Sequence, residues 1–92
     1  MPITPGQEQA IEAVISLGWL PALNNMPRSA HAVAEALSVT AEQGEAILID
    51  LRDRGIIALR FQHAGNGKPL EEGIPVTVSH YAEWFRVETD DQ

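Results

Sequence analysis

Ser29-Ala30-His31-Ala32-Val33-Ala34-Glu35-Ala36-Leu37-Ser38-Val39-Thr40-Ala41-Glu42-Gln43-Gly44 contains the signals for two helices and a tight turn between them. Ser29 is a favoured N-cap residue, and Ala30, Val33, Ala34 and Leu37 follow at the spacing of one buried helical face. Ser38-Val39 makes the turn. Thr40 and Gln43 then form a capping box, in which each side chain satisfies the other residue's free backbone N–H. The helix that opens there is expected to run to about Arg54, with Gly55 suited to the left-handed residue that closes it. Helices that meet steeply at a tight turn need small residues at their contact. Ala30, Ala34 and Gly44 supply them, and Gly44, which costs helix stability, is therefore read as a packing residue.

On the N-terminal side, Thr4-Pro5-Gly6-Gln7 is another capping box, with proline at the first helical position. Ile11, Val14, Ile15 and Gly18, flanked by Ala10, Ala13 and Leu17, give a first helix its apolar stripe. It is expected to end near Trp19, because Pro21 disfavours helical geometry at Leu20. Pro21 to Arg28 holds two prolines and Asn24-Asn25 and reads as a connector with room for one irregular helical turn. On the C-terminal side the period changes to two, with Ile57, Leu59 and Phe61 alternating against Ala58, Arg60 and Gln62 in a strand. Asn66-Gly67, inside Gly65 to Pro69, suits a hairpin reversal. A second strand is expected at about Pro75 to His80, with Val76 and Val78 on one face. Tyr81 to Val87 is open to strand and turn readings, since Trp84, Phe85 and Val87 must pack on something. The expected class is mainly α with a small β-hairpin (α+β), three helices plus a two- or three-stranded wing. One domain spans residues 1–87, and residues 88–92 are an acidic disordered tail.

Ninety-two residues make one domain, long enough to bury about 60 to 65% of the surface its unfolded chain would expose. At 45% hydrophobic and 21% charged residues, the composition is that of an ordinary globular domain, which needs no staple to fold. Cysteine is absent, which excludes disulfides, thiolate metal sites and cysteine nucleophiles and is compatible with a reducing interior. The first nine residues hold no Lys or Arg and no apolar run, and Ala13 to Leu23 is too short to cross a bilayer. A cytoplasmic protein without membrane contact is expected. The formal charge is −7. Glu88, Asp90 and Asp91 lie in the tail, and the body remains acidic without them. Such a body repels phosphate and forgoes the electrostatic attraction that dominates non-specific DNA affinity.

The order helix, short helix, tight turn, capped helix and hairpin resembles a winged helix-turn-helix. Ala30 to Thr40, Leu48, Leu51 and Gly55-Ile56-Ile57 carry the resemblance to prokaryotic winged-helix transcription regulators, over roughly residues 5 to 80. This resemblance implies that the third helix enters the DNA major groove and that the wing touches backbone or minor groove. The layout is also similar to the amino-terminal dimerisation domain of small-molecule O-methyltransferases, in which a winged helix binds protein.

The first resemblance implies a homodimeric DNA-binding regulator. Thr40 and Gln43 would approach base edges or phosphate, Arg28 and Arg60 would hold the backbone, and Asn66 and Lys68 would reach from the wing. The outward face of the third helix argues against it: Glu42, Ala46, Ile49 and Asp53 point away from the core, flanked by Gln43, Glu45 and Asp50. Specific binders neutralise about six to ten phosphates, more than these cations supply in one copy. The second reading is therefore a protein-interaction or dimerisation module, with Ala46, Ile49, Trp84 and Phe85 as interface candidates. The plain alternative to both roles is a solvated acidic helix face.

Other chemistry finds little support. Gly65-Asn66-Gly67-Lys68 resembles a phosphate loop, but Pro69 replaces the Ser or Thr and no helix follows. His63 and His80 are near strand ends and could approach each other, with no third ligand in reach, so no metal or other cofactor is expected. Glu71-Glu72 lies in an unshielded loop, and no activated nucleophile appears. Trp19, Tyr81, Trp84 and Phe85 read as core and dimer contacts in preference to a base-stacking platform, since only Arg86 is interleaved with them. The expected protein is not an enzyme.

Overall fold

The computed structural model describes residues 3–71, 73 and 75–87. Its chain order is α1 (Pro5–Ile15), β1 (Leu20–Pro21), α2 (Ala22–Leu37), α3 (Ala41–Asp53), β2 (Ile57–His63) and β3 (His80–Arg86). Three helices pack on one face of a three-stranded antiparallel sheet of order β1-β3-β2, an α+β arrangement whose small open sheet is compatible with a wing. The expected tail at 88–92 lies outside the described residues.

Both capping boxes form, at Thr4 with Gln7 and at Thr40 with Gln43. Ser38 turns the chain between α2 and α3 in the left-handed region (φ 57°, ψ 46°), while the Val39 N–H donates back to the Ala34 carbonyl. The two helices then cross so closely that a β-carbon at Gly44 would lie 2.5 Å from the Ala30 carbonyl oxygen. Gly44 is thus the contact point that its position in the sequence implies. Below it, Leu48 and Leu51 join Ala10, Ile11, Val14, Val33, Ile57 and Trp84 in the core.

Three elements differ from expectation. The first helix stops at Ile15, four residues early. Gly18 (φ 68°) is not part of its stripe but takes the left-handed conformation that ends it, after the Leu17 and Gly18 N–H groups bond Val14 and Ile15 carbonyls. Trp19 is thereby released toward the sheet.

Beyond Pro21, which ends β1, the expected connector to Arg28 is instead the first part of α2, and Ser29 is a buried mid-helix residue, not a cap. Pro27 sits inside the helix and deprives the Leu23 carbonyl of its usual partner, a defect costing about 3 kcal/mol in isolation. Tertiary bonds offset it. Asn25 Nδ2 donates to the Ala82 carbonyl (3.1 Å), Ser29 Oγ donates to Asn25 Oδ1 (3.1 Å), and Trp84 Nε1 donates to Ser29 Oγ (2.8 Å). The chain of bonds fastens α2 to β3 through the core.

The second long strand is His80–Arg86 and not Pro75–His80. Thr77 accounts for the shift: its carbonyl accepts from His80 N–H and its hydroxyl accepts from Ser79 N–H, closing a turn where extended pairing was expected. Val76 and Val78 are left exposed, Val78 by 81%. The reversal at Asn66-Gly67 does occur, but it folds Pro69 back onto Gln62 and not onto the long strand. In β3, His80, Ala82 and Trp84 face the core while Tyr81, Glu83 and Phe85 face outward.

Two substitutions test this packing. Gly44→Ala, despite its better helix propensity, should lower stability by about 1–3 kcal/mol in urea denaturation, because the new methyl meets backbone that cannot turn aside. Ser29→Ala should cost about 2–3 kcal/mol, since it orphans both the Trp84 N–H and Asn25 Oδ1 in the interior. Losses below about 0.5 kcal/mol, the range of ordinary surface changes, would contradict both contacts.

Candidate nucleic-acid and protein interfaces

Four of the six residues expected to read DNA, Thr40, Gln43, Arg60 and Asn66, are occupied within the fold. Thr40 Oγ1 accepts from Gln43 N–H (3.1 Å) and Gln43 Oε1 accepts from Thr40 N–H (3.0 Å), so both side chains are held against the start of α3. Asn66 Oδ1 accepts from Lys68 N–H (2.9 Å), a local turn that shapes the loop tip. Arg60 is the largest departure. Its Nε and Nη2 donate to Glu83 Oε1 (2.7 and 2.5 Å), and its guanidinium carbon lies 5.2 Å from the Phe85 ring centroid and 5.9 Å from that of Trp19. Cross-strand pairing explains this: Arg60 stands directly opposite Glu83 in the register of β2 and β3. A guanidinium so committed is not available to hold phosphate without breaking these contacts.

Three further cations are paired as well. Arg52 meets Asp53 (3.5 Å), Arg54 meets Asp50 (3.3 Å) and Arg86 meets Glu8 (2.5 Å). Among the described residues, only Arg28 and Lys68 have no acidic partner. Arg28 flanks an open groove lined by Leu17, Pro27, His31, Ala32 and Glu35, in which His31 Nε2 lies 3.1 Å from Glu35. The outward side of α3 exposes Glu42, Gln43, Glu45, Ala46, Asp50 and Asp53.

The protein-interface candidates divide. Ala46 is exposed on α3, but Ile49 is half-buried and offers less surface than its outward position in the helical count suggests. Trp84 is 2% exposed and belongs to the core, so it is withdrawn from any interface. Phe85 is on the outer sheet face beneath Arg60.

His63 and His80 do come together. They are register partners at the end of the sheet, with ring centroids 4.9 Å apart and planes at 68°. His80 is buried, and its Nδ1 accepts from Thr77 N–H (2.9 Å), so that nitrogen is already used in holding the 77–80 turn. Among the described residues no three His, Cys, Asp or Glu side chains converge as metal ligands, and no helix is long and apolar enough to cross a membrane.

Sequence reasoning missed the Arg60–Glu83 pair and its aromatic walls because the strand carrying Glu83 and Phe85 was open to a turn reading. No period of two marked it, since apolar residues fall on both faces of the run, Ala82 and Trp84 on one and Tyr81 and Phe85 on the other; its concentration of aromatic residues was the only strand signal there. Compared with protein-family models, curated proteins and solved structures, the chain matches none.

The capping role of Thr40 is separable from a recognition role. Thr40→Ala should lower stability by about 1 kcal/mol, the usual worth of an N-cap hydroxyl, measured by denaturant midpoint. No change in midpoint would return Thr40 to the pool of recognition candidates.

Proposed function

We propose that this chain is a non-catalytic module of winged-helix type that binds protein, as a dimerisation or interaction domain, and does not read DNA. The observation that carries the reading is the state of its cations: four of the six basic side chains are spent on carboxylates of the same chain. DNA affinity grows with the number of phosphates neutralised, and counterion release supplies most of it. The two cations that have no acidic partner among the described residues, on a chain of charge −7, supply little of that term. The outward side of α3 is rich in carboxylates, which repel phosphate, while of the donors used for base edges Gln43 is held in a cap and Arg52, in the last turn, is paired with Asp53. A cytoplasmic location is part of the proposal and is supported by the absence of cysteine from the sequence.

The regulator reading retains one supporting observation, that Arg28 and Lys68 have no acidic partner among the described residues, and is separated by experiment. In fluorescence anisotropy against random-sequence duplex DNA, the protein should show no binding at physiological salt and, at most, weak binding at low salt. Tight binding that the double variant Arg28→Glu, Lys68→Glu abolishes would replace the present proposal with the DNA-binding one.

A further inference from the structure

The outer face of the sheet is the part of the surface on which no helix packs, and it differs from the rest in chemistry. Tyr81 is 36% exposed, Trp19 and Phe85 are half-buried, and Pro21 flanks them as the register partner of Tyr81. At their centre, Glu83 lies under Arg60 with only 14% of its side chain exposed, whereas the Arg60 side chain is 59% exposed. A shielded carboxylate whose guanidinium partner stands over two aromatic rings is a built receptor for a planar cation, and the guanidinium now in it is the more exposed of the pair. Trp, Tyr, Phe and Arg are also the residues enriched in the desolvated cores of protein interfaces.

Charge selects the occupant. Glu12 on α1, and Glu42 and Glu45 on α3, have no basic partner among the described residues, so helical faces of two copies would repel. The outer sheet face carries one cation and one anion, sums to zero, and is self-complementary under a two-fold axis, as an isologous interface requires. A second copy also presents the very group that already fits the receptor.

Resting on the protein-binding reading above, we propose that two copies of this chain meet outer sheet face to outer sheet face about a two-fold axis. Each inserts its Arg60 guanidinium between the Trp19 and Phe85 rings and against Glu83 of the other copy. The exchange replaces the two ion pairs within the separate chains by two equivalent pairs across the interface, so the gain comes from the aromatic surface buried with them.

Sedimentation over a concentration series, with circular dichroism to confirm folding, tests the exchange. The wild type should reach dimer mass. Arg60→Glu alone and Glu83→Arg alone should each stay monomeric, and a mixture of the two should recover dimer mass, because each then meets its opposite charge across the interface. Tyr81→Glu, at an exposed position on the same face, should also give a folded monomer and serves if the charge variants fail to fold. A monomeric wild type, or dimers indifferent to Tyr81→Glu and to both charge reversals, would overturn the proposal. In the second case self-association lies elsewhere and the protein-binding reading stands; only the DNA titration described above decides against that reading.

Discussion

Backbone meets backbone where α3 crosses α2, and the absence of a single β-carbon at Gly44 permits it. A glycine inside a helix costs roughly 1 kcal/mol relative to alanine, and here the cost is offset by the approach of two apolar faces. Because Ala30 and Gly44 touch, Val33 shares one core with Leu48 and Leu51, which Ile57 and Trp84 of the sheet also join. The left-handed Ser38 and the Thr40 cap serve this contact by bringing the chain round within three residues.

Gly44 sets the helices against each other, and Asn25, Ser29 and Trp84 set the helices against the sheet. Their hydrogen bonds run from the β3 backbone to the Trp84 indole through α2, and among the described residues no buried side-chain polar atom is left without a partner. This polar seam turns Ala82 and Trp84 inward, and strict alternation then turns Tyr81, Glu83 and Phe85 outward. The outer face with its Arg60–Glu83 centre is thus a by-product of how the inner face is anchored. Electrostatics follow the same logic. An acidic chain has few cations, and placing most of them beside its own carboxylates stabilises the monomer's surface while leaving little positive potential for phosphate.

The parts legible in the sequence were those settled within a few residues. Thr4 with Gln7 and Thr40 with Gln43 announced helix starts, Gly55 announced an end, and the period of two from Ile57 announced a strand, because capping and pleating are local geometry. The parts missed were settled at long range. Pro27 and Asn24-Asn25 look like loop until Asn25 bonds Ala82, 57 residues away. Val76 and Val78 alternate like a strand, yet the stretch that gains a central place in the sheet is the one whose Trp84 reaches Ser29. For the candidate site the division is similar: the acidic outward side of α3 was readable from a helical wheel, whereas the loss of Arg60 to Glu83 depended on strand register.

By itself, then, the sequence determined the helix–turn–helix centre, the small-residue contact at Gly44, the α+β class and the acidic character of the surface, all through local propensity, periodicity and charge. Only the tertiary structure decided that α2 begins before Pro27, that β3 is His80–Arg86, and that Arg60 faces Glu83, Trp19 and Phe85. The reason is physical: burying an indole and satisfying its N–H, together with an asparagine and a serine far away in the chain, outweighs the local preferences of proline and of alternating valines.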